Sequence, residues 1–219
     1  KDARAFLIGY KYSSISQQNQ IISAVKHLYR YVAKSKLGTL DITRPRKQKK
    51  IPRIIDKDFL VEKIKAITNL KHRAIIQLAF STGMRVSEVI NLKIEDIDSK
   101  RMIIHIRNAK GNKDRIVKLT ESTLPVLKRY FRVFRPVKYL FNGQFKPQYS
   151  QTSCNKIVKK YLGKDFHFHL LRHSCLTAMI ECGTDVSIVQ RISGHESLVT
   201  TQGYVHISKN LINQVHAPM

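Results

Sequence analysis

The chain has 219 residues, 42% of them hydrophobic, which excludes a short peptide, a disulfide mini-protein and a globally disordered chain. Its 40 Lys and Arg against 15 Asp and Glu give a formal net charge of +25. Such a charge favours a polyanionic partner, nucleic acid before an anionic membrane, although basicity alone does not separate a DNA-binding protein from an RNA-binding or ribosomal one.

The sequence lacks the features of a membrane or secreted protein. It has no run of about 18 apolar residues, so no transmembrane helix is predicted. It begins KDARAFLIGY, with neither a starting Met nor a signal-peptide pattern, and we expect a processed, trimmed or engineered N-terminus. Cys154, Cys175 and Cys182 have no CxxC spacing, which argues against a disulfide framework and a cysteine-based zinc site and fits a reducing compartment.

The first quarter of the chain is predicted to be a helix followed by a basic linker. Apolar residues at spacings of three and four predict an amphipathic helix over 16–35. Residues 44–53 then hold two prolines and six basic residues, which predicts an extended, positively charged linker. We expect this linker to lie on phosphates rather than to be a solvated tether. Its basic residues are Arg44, Arg46, Lys47, Lys49, Lys50 and Arg53.

The rest of the chain is predicted to be mainly helical. Two strands, 101–107 and 114–119, are joined by the glycine-containing turn NAKGNK and form a hairpin. Helices are predicted at 57–67, 70–81, from near Met84-Arg85, and at 121–134, 150–161, 169–182, 185–192 and 198–204. The predicted fold class is therefore α+β, mainly α with a small antiparallel sheet.

Several polar residues could carry chemistry, and each has a simpler structural explanation. Arg85 and Glu88 have the spacing of a surface ion pair on a helix. Lys110 lies in the hairpin turn, where a solvated lysine is ordinary. His169 and His173 are four residues apart and could share a helix face in a metal site. However, no Glu follows His169 as in HExxH, and the adjacent arginine would repel a cation, so no metal is predicted.

Taken together, these arginines, histidines, lysine and tyrosine indicate a reaction type more clearly than any one of them does alone. Arginine side chains bind phosphate oxygens in pairs of hydrogen bonds and stabilise the charge of a transition state. A lysine can protonate a leaving alkoxide, and a tyrosine hydroxyl can be a covalent nucleophile. The set therefore permits metal-free phosphoryl transfer. Its members are Arg85, Lys110, His169, Arg172, His195 and Tyr204.

Three ordered stretches resemble the boxes of the tyrosine recombinases, or phage-type integrases. STGMRVSEVINLKIEDID at 81–98 resembles the family's first arginine box, and AKGNKDRIVKL at 109–119 resembles the hairpin that carries its lysine. The stretch 167–207, from HFHLLRH to GYVHI, resembles the His-x-x-Arg box, the Gly-His box and the tyrosine nucleophile. The likeness is to integrases of bacterial mobile elements and to Xer resolvases.

The resemblance implies a role for each matching residue. Arg85 and Arg172 would clamp the scissile phosphate, and His169 and His195 would hydrogen-bond to it and assist proton transfer. Lys110 would be the general acid for the 5′-hydroxyl leaving group, and Tyr204 would attack to give a 3′-phosphotyrosyl link. Glu88 would orient the arginine box. No family role is assigned to His167, His173 or His206, which are expected to be structural.

The resemblance also implies a domain organisation. Residues 1–43 would be the C-terminal part of a helical DNA-clamp domain whose first helices are missing, 44–53 the linker, and 54–219 the catalytic domain. Ser193 departs from the family pattern, because a Leu usually precedes the Gly-His pair.

The implied function is site-specific cutting and rejoining of duplex DNA, without metal or other cofactor. The expected partners are duplex DNA and further copies of the chain, a monomer or dimer when free and a tetramer in the synapse, with no membrane. The expected location is the cytoplasm, on the bacterial nucleoid when bound to DNA. Two alternatives stay open: a type IB topoisomerase and a DNA-binding regulator that has lost catalysis.

Overall fold

The computed structural model describes residues 3–31, 44–45, 54–109, 113–195 and 198–205. Over these residues the protein is mainly helical with a small antiparallel sheet, which confirms the predicted fold class. Among them, no helix is both long enough and apolar enough to cross a membrane. The chain divides into two compact units, Lys1–Lys50 and Ile51–Met219.

The first unit contains helix α1 (Ala3–Gly9), which was not predicted, and helix α2 (Ile15–Tyr31). Leu7 of α1 and Ile22 of α2 are buried. The short segment 44–45 lies against α2, because Arg44 Nη2 donates to Ser23 Oγ at 3.2 Å. The described part of α2 agrees with the predicted helix, whose last residues, 32–35, lie outside the described ranges.

The second unit holds the remaining helices, which lie within about two residues of their predicted bounds, the usual uncertainty of helix ends. They are α3 (Lys57–Ala66), α4 (Leu70–Thr82), α5 (Val86–Asn91), α6 (Thr123–Phe134), α7 (Gln151–Leu162), α8 (Phe168–Glu181), α9 (Val186–Ser193) and α10 (Leu198–Val205).

Helix α4 is the centre of the larger core and packs against α6 and α8. Its apolar residues surround the helix instead of forming one stripe, as expected of a buried helix. Those fully buried are Ala74, Ile75, Ile76, Leu78 and Ala79. The Asn69 side chain caps the start of α4 by accepting from the backbone N–H of His72. Gly83, at φ 64°, ends the helix, and the chain turns into α5.

The sheet has three antiparallel strands in the order β1 (Ile97–Asp98), β2 (Ile103–Ala109) and β3 (Lys113–Lys118). The predicted hairpin is confirmed as β2 and β3, whereas β1 and the 3₁₀ turn before it (Ile94–Asp96) were not predicted. Ile104 pairs with Val117, and both side chains are buried. The turn that contains Lys110 lies outside the described residues.

A smaller core joins the last three helices. Leu176 and Ile180 of α8, Val189 of α9 and Tyr204 of α10 are buried against one another. This cluster holds α10 against the rest of the second unit, and it places the aromatic ring of Tyr204 inside the protein.

Candidate active site

Two helix ends meet at the site and bind its arginines. The last carbonyls of a helix have no partner within the helix and carry a partial negative charge. Arg172 Nη1 donates to Gly83 O at the end of α4 (2.7 Å), and Arg172 Nη2 donates to Ser193 O at the end of α9 (2.6 Å). Arg85 Nη2 donates to Gly194 O at 3.1 Å. The glycines, both at positive φ, let each helix end so that these carbonyls face the arginines.

Arg172 is the most deeply buried charged residue named in the site. It lies on α8, and only 1% of its surface is exposed. Burial, followed by the charge of Arg85, lowers its pKa to about 10, so the guanidinium stays protonated at neutral pH. Its carbonyl partners are neutral dipoles. These hydrogen bonds therefore hold the guanidinium of Arg172 in place without neutralising its positive charge.

Glu88 binds two arginines and is not the exposed ion-pair partner that its spacing alone suggests. It accepts from the backbone N–H of Arg85 at 2.7 Å and from Arg85 Nη1 at 2.9 Å. Arg115 approaches it with two nitrogens, at 2.7 and 2.6 Å. Burial alone would raise the pKa of Glu88, but hydrogen bonds and charge from Arg115, with help from Arg85, lower it to about 2.

Arg115, which was not identified from the sequence, connects three elements around the site. Its side chain lies on β3 and is 8% exposed. Besides the bidentate contact with Glu88 of α5, its Nε donates to Ile192 O of α9 at 2.8 Å. Residues two apart on a strand share a face, so Arg115 lies on the same side of β3 as buried Val117, a side that the sequence alone did not identify.

His195 has a defined tautomer because of its two neighbours. Arg172 Nη2 lies 3.0 Å from His195 Nε2, and an arginine can only donate, so Nε2 is the acceptor. The proton is therefore on Nδ1, which donates to Thr201 Oγ1 at 3.0 Å. Burial, followed by the charges of Arg172 and Arg85, lowers the pKa of His195 to about 4. Thr201 is fully buried on α10 and was also missed.

Tyr204 is 4% exposed, and its ring lies parallel to that of His195 with 6.1 Å between the ring centres. Its Oη is 2.7 Å from His173 Nδ1. Burial raises the pKa of Tyr204, and the positive charges of Arg172 and Arg85 partly oppose the rise. His173, to which no role was assigned from the sequence, therefore contacts the hydroxyl of the candidate nucleophile.

His169 lies one helical turn before His173 on α8, as the spacing predicted. The two rings meet edge to face, with 4.4 Å between their centres. His169 is more exposed than His173 or His195. Desolvation and the charge of Arg172 lower its pKa. His169 is therefore placed on the open side of the histidine cluster.

The structure brings together the described residues that the sequence placed in the catalytic set and the supporting Glu88. They are Arg85, Glu88, His169, Arg172, His195 and Tyr204. Lys110, Arg46, Lys47, Lys49, Lys50 and Arg53 lie outside the described residues. Arg44 belongs to the first unit. Within the described ranges, no group of three or more His, Cys, Asp or Glu side chains is placed to hold a metal ion.

A buried tyrosine hydroxyl, two arginines and three histidines form a set suited to phosphoryl transfer with a tyrosine nucleophile. Comparison with known proteins leads to the same class. Residues 48–210 match the phage integrase family. The match covers most of the second unit, so this chain belongs to the phage integrase family.

Individual relatives agree with this assignment. The chain is 34% identical to the putative integrase/recombinase y4eF of Sinorhizobium fredii, over 80% of this chain and 72% of that protein. It is 31% identical to the tyrosine recombinase XerA of Pyrococcus horikoshii, over 95% of this chain and 76% of that protein.

Solved structures also match the fold. The XerH recombinase, in a post-cleavage complex with its palindromic difH substrate, superposes with a TM-score of 0.79. It is 25% identical and covers 96% of this chain and 69% of that one. The structure of a XerA recombinase superposes with a TM-score of 0.67 at 29% identity, over 96% of this chain and 78% of that one. The resemblance to tyrosine recombinases is thus confirmed.

Proposed function

We propose that this protein is a site-specific recombinase that cuts and rejoins duplex DNA through a covalent 3′-phosphotyrosyl link to Tyr204. The observation that carries the proposal is the buried Tyr204 hydroxyl, held in the same cluster as His195 and as Arg172, whose guanidinium is hydrogen-bonded to neutral groups. One phosphodiester is exchanged for another, so the energy of the bond is retained and no nucleotide is needed.

The scissile phosphate binds between Arg85 and Arg172. A nonbridging phosphate oxygen replaces His195 Nε2 as the acceptor at Arg172 Nη2, because a charged oxygen is a stronger acceptor than a neutral ring nitrogen. The phosphate charge also favours protonation of His195, which can then donate to the phosphate. The side chain of Arg85 is 22% exposed and is the more accessible of the two arginines.

The two proton transfers complete the step. Tyr204 Oη gives up its proton to the histidine cluster around it as it attacks phosphorus, the bond from phosphorus to the 5′-oxygen breaks, and Lys110 supplies a proton to that oxygen. His169, on the open side of the cluster, hydrogen-bonds to the phosphate. Tyr204 packs on α8 and α9 of its own chain, which supports attack on the phosphate bound by that same chain.

The partners of the proposed enzyme are duplex DNA and other copies of the chain, because two duplexes must be cut and exchanged. The XerH complex with its difH substrate supports the DNA partner. The copies form a tetramer in the synapse, from free monomers or dimers. The enzyme works in the cytoplasm and on the bacterial nucleoid when bound to DNA.

A basic surface in the first unit supports a DNA-clamp role for residues 1–43. Lys26, His27 and Arg30 of α2, with Ser23 and Arg44, line a cavity of about 180 Å³. Arg44 was predicted to bind DNA as part of the linker, and it lies within the described residues. Cations grouped in this way attract phosphates without sequence preference. Residues 44–53 join this unit to the catalytic domain, 54–219.

Covalent capture tests the function and reveals the recognition site in the same experiment. Wild-type protein is incubated with a random-sequence duplex library that contains nicks, and protein-linked DNA is isolated under denaturing conditions and sequenced. We expect a denaturant-resistant adduct enriched in one sequence. Joining of two such sites, rather than a change in linking number alone, distinguishes a recombinase from a topoisomerase.

Tyr204→Phe is the matched variant for this experiment. It keeps the ring that packs in the smaller core and removes only the nucleophilic oxygen. We expect the adduct to disappear while the affinity for the captured sequence stays within about twofold, because the phosphate contacts that dominate affinity are unchanged. An adduct that still forms with Tyr204→Phe would show another nucleophile.

A further inference from the structure

The hydroxyl of Tyr204 has a defined hydrogen-bond partner. His173 Nδ1 lies 2.7 Å from Tyr204 Oη, and the ring centres are 5.5 Å apart. The contact joins α8 to α10 of the same chain. Tyr204 is 4% exposed, so bulk water does not readily replace the imidazole at this oxygen.

The protonation states indicate which group donates. Burial, followed by the nearby His169, Arg172 and His167, lowers the pKa of His173 to about 4, so the ring is neutral at neutral pH. Burial raises the pKa of Tyr204, which therefore keeps its proton. A neutral imidazole with its proton on Nε2 accepts at Nδ1. The phenol then donates to His173, in the direction that nucleophilic attack requires.

His195 is not available for the same task. Its Nε2 accepts from Arg172 and its Nδ1 carries the proton that is donated to Thr201. Both ring nitrogens are thus engaged, and the ring lies parallel to that of Tyr204 rather than pointing at the hydroxyl. The geometry therefore distinguishes the two histidines, one facing the nucleophile and the other facing the phosphate-binding arginine.

We propose that His173 is a catalytic residue that aims Tyr204 Oη and accepts its proton during attack on the scissile phosphorus. As the Oη–H bond breaks, the proton passes to His173 Nδ1 and the Oη–P bond forms. The bond from phosphorus to the 5′-oxygen breaks, and that oxygen takes a proton from the general acid. In rejoining, the imidazolium returns its proton to Oη. This role rests on the proposed function.

Bound DNA strengthens His173 as a base. In the free protein, the groups that face its ring are His167, His169 and Arg172 of the α8 region and Tyr204 of α10. A phosphate bound at Arg172 brings a negative charge that opposes the charge of the arginine, so the pKa of His173 rises toward its ordinary value. The base therefore becomes effective when the substrate is present.

The test compares His173→Ala and His173→Asn with wild type in single-turnover cleavage. The substrate is the captured duplex with a 5′-bridging phosphorothiolate, whose thiolate leaves without a proton and so isolates the attack step. Asn can hydrogen-bond to the phenol but cannot take its proton. We expect both variants to be about 10²–10⁴-fold slower, the usual contribution of a general base. DNA affinity should be unchanged.

The pH profile separates proton transfer from simple positioning. Wild-type cleavage should fall on the acid side as His173 becomes protonated and then reach a plateau. With His173→Asn the phenol must ionise unaided, so the rate should rise about tenfold per pH unit. His72→Asn is the matched control, because His72 Nδ1 lies 3.0 Å from Tyr161 Oη in a histidine–tyrosine contact outside the catalytic cluster, and this variant should behave like wild type.

Each outcome decides the question. A wild-type rate and profile for His173→Asn would reduce His173 to a hydrogen-bond partner, and unaffected rates for both variants would remove any role. If His173→Ala melts at a lower temperature, added imidazole tests the site directly, and failure to restore any cleavage to that variant would also contradict the proposal. Absence of a wild-type adduct would instead contradict the proposed function itself.

Discussion

His173 and His195 are uncharged at neutral pH in the free protein, because both are desolvated and face arginine. An unfolded histidine takes up a proton near pH 6.5, whereas these two resist it down to about pH 4. The unfolded state therefore binds more protons than the folded state between these values. By linkage, the free energy of unfolding must decrease as the pH falls through this window.

We expect urea unfolding to show this loss of stability between pH 6.5 and pH 4. Glu88 does not contribute in the upper part of the window, because its pKa is lowered from 4.5 to about 2 and its stabilisation is lost only in more acidic solution. His173→Asn and His195→Asn should each have a shallower pH dependence than wild type. A stability independent of pH above 4.5 would contradict this assignment.

Lys110 is predicted to act on the other side of the reacting phosphorus. Lys110→Ala should cleave ordinary DNA about 10²–10⁴-fold more slowly, because an alkoxide leaves poorly without a proton. It should cleave the 5′-bridging phosphorothiolate at nearly the wild-type rate, since a thiolate needs no proton. Single-turnover rates on the two substrates measure the difference.

Lys113→Ala is the matched control for Lys110, three residues away in the same hairpin, and should show only a mild loss of binding. Equal slowing of Lys110→Ala on both substrates would mean that this lysine only holds phosphate. The two proposed proton-transfer residues have opposite signatures, because the phosphorothiolate should rescue Lys110→Ala and leave His173→Ala slow.

At the scale of elements, the C-terminal ends of α4 and α9 shape the site, because their carbonyls accept hydrogen bonds from Arg172 and Arg85. Gly194, at φ 63°, ends α9, and a Cβ there would lie 3.3 Å from Arg115 Cδ. Gly194→Ala should therefore disturb the Arg115 side chain in addition to the cost of a left-handed non-glycine residue, about 1–2 kcal/mol. We expect lower stability and a clear loss of cleavage.

Gly183→Ala is the control for this change. Gly183 is also at positive φ, 83°, but nothing lies within 4 Å of the position of its Cβ. Its stability cost should be similar and its cleavage rate close to wild type. Urea unfolding and single-turnover cleavage of both variants give the comparison, and equal cleavage by the two would mean that Arg115 adjusts without effect.

Sequence periodicity was enough to predict the helices of the second unit and the hairpin, because apolar spacing and glycine stops are local signals. It did not identify Arg115, because Ile116 and Val117 are both apolar and do not indicate the buried face of β3. In the structure, Val117 points inward and Ile116 is 52% exposed, so Arg115 also points inward. Burial of one strand face is a tertiary property.

The candidate catalytic set was chosen from residue types and family spacing, but the contacts among its members were not predictable from the sequence. Arg172 binds carbonyls 89 and 21 residues away in the chain. His173 contacts Tyr204 from 31 residues away. Helix packing determines such contacts, so the sequence alone could not distinguish His173 from a structural histidine. The spacing of His169 and His173 on one face was predicted, although it first suggested a metal.

At the scale of the whole molecule, the net charge of +25 predicts strongly salt-dependent DNA binding. Replacement of Arg46, Lys47, Lys49 and Lys50 by Ala should weaken binding to all sequences alike. The slope of log K against log salt should flatten by about 0.9 for each phosphate contact that is lost. Cleavage at saturating DNA should be unchanged, and an unaltered slope would make 44–53 a solvated tether.

Helix α10 contributes two of the side chains that contact the histidines of the site, so their contacts form or break together. Thr201 and Tyr204 lie three residues apart on one face of α10, and they contact His195 and His173 respectively. An event that lifts this helix removes the proposed nucleophile, Tyr204, and releases His195, the proposed phosphate ligand, at the same time. Rejoining reverses cleavage through the same groups, so a site able to break a strand is also equipped to reseal it. A change that loosens α10 should therefore lose strand breakage and resealing together.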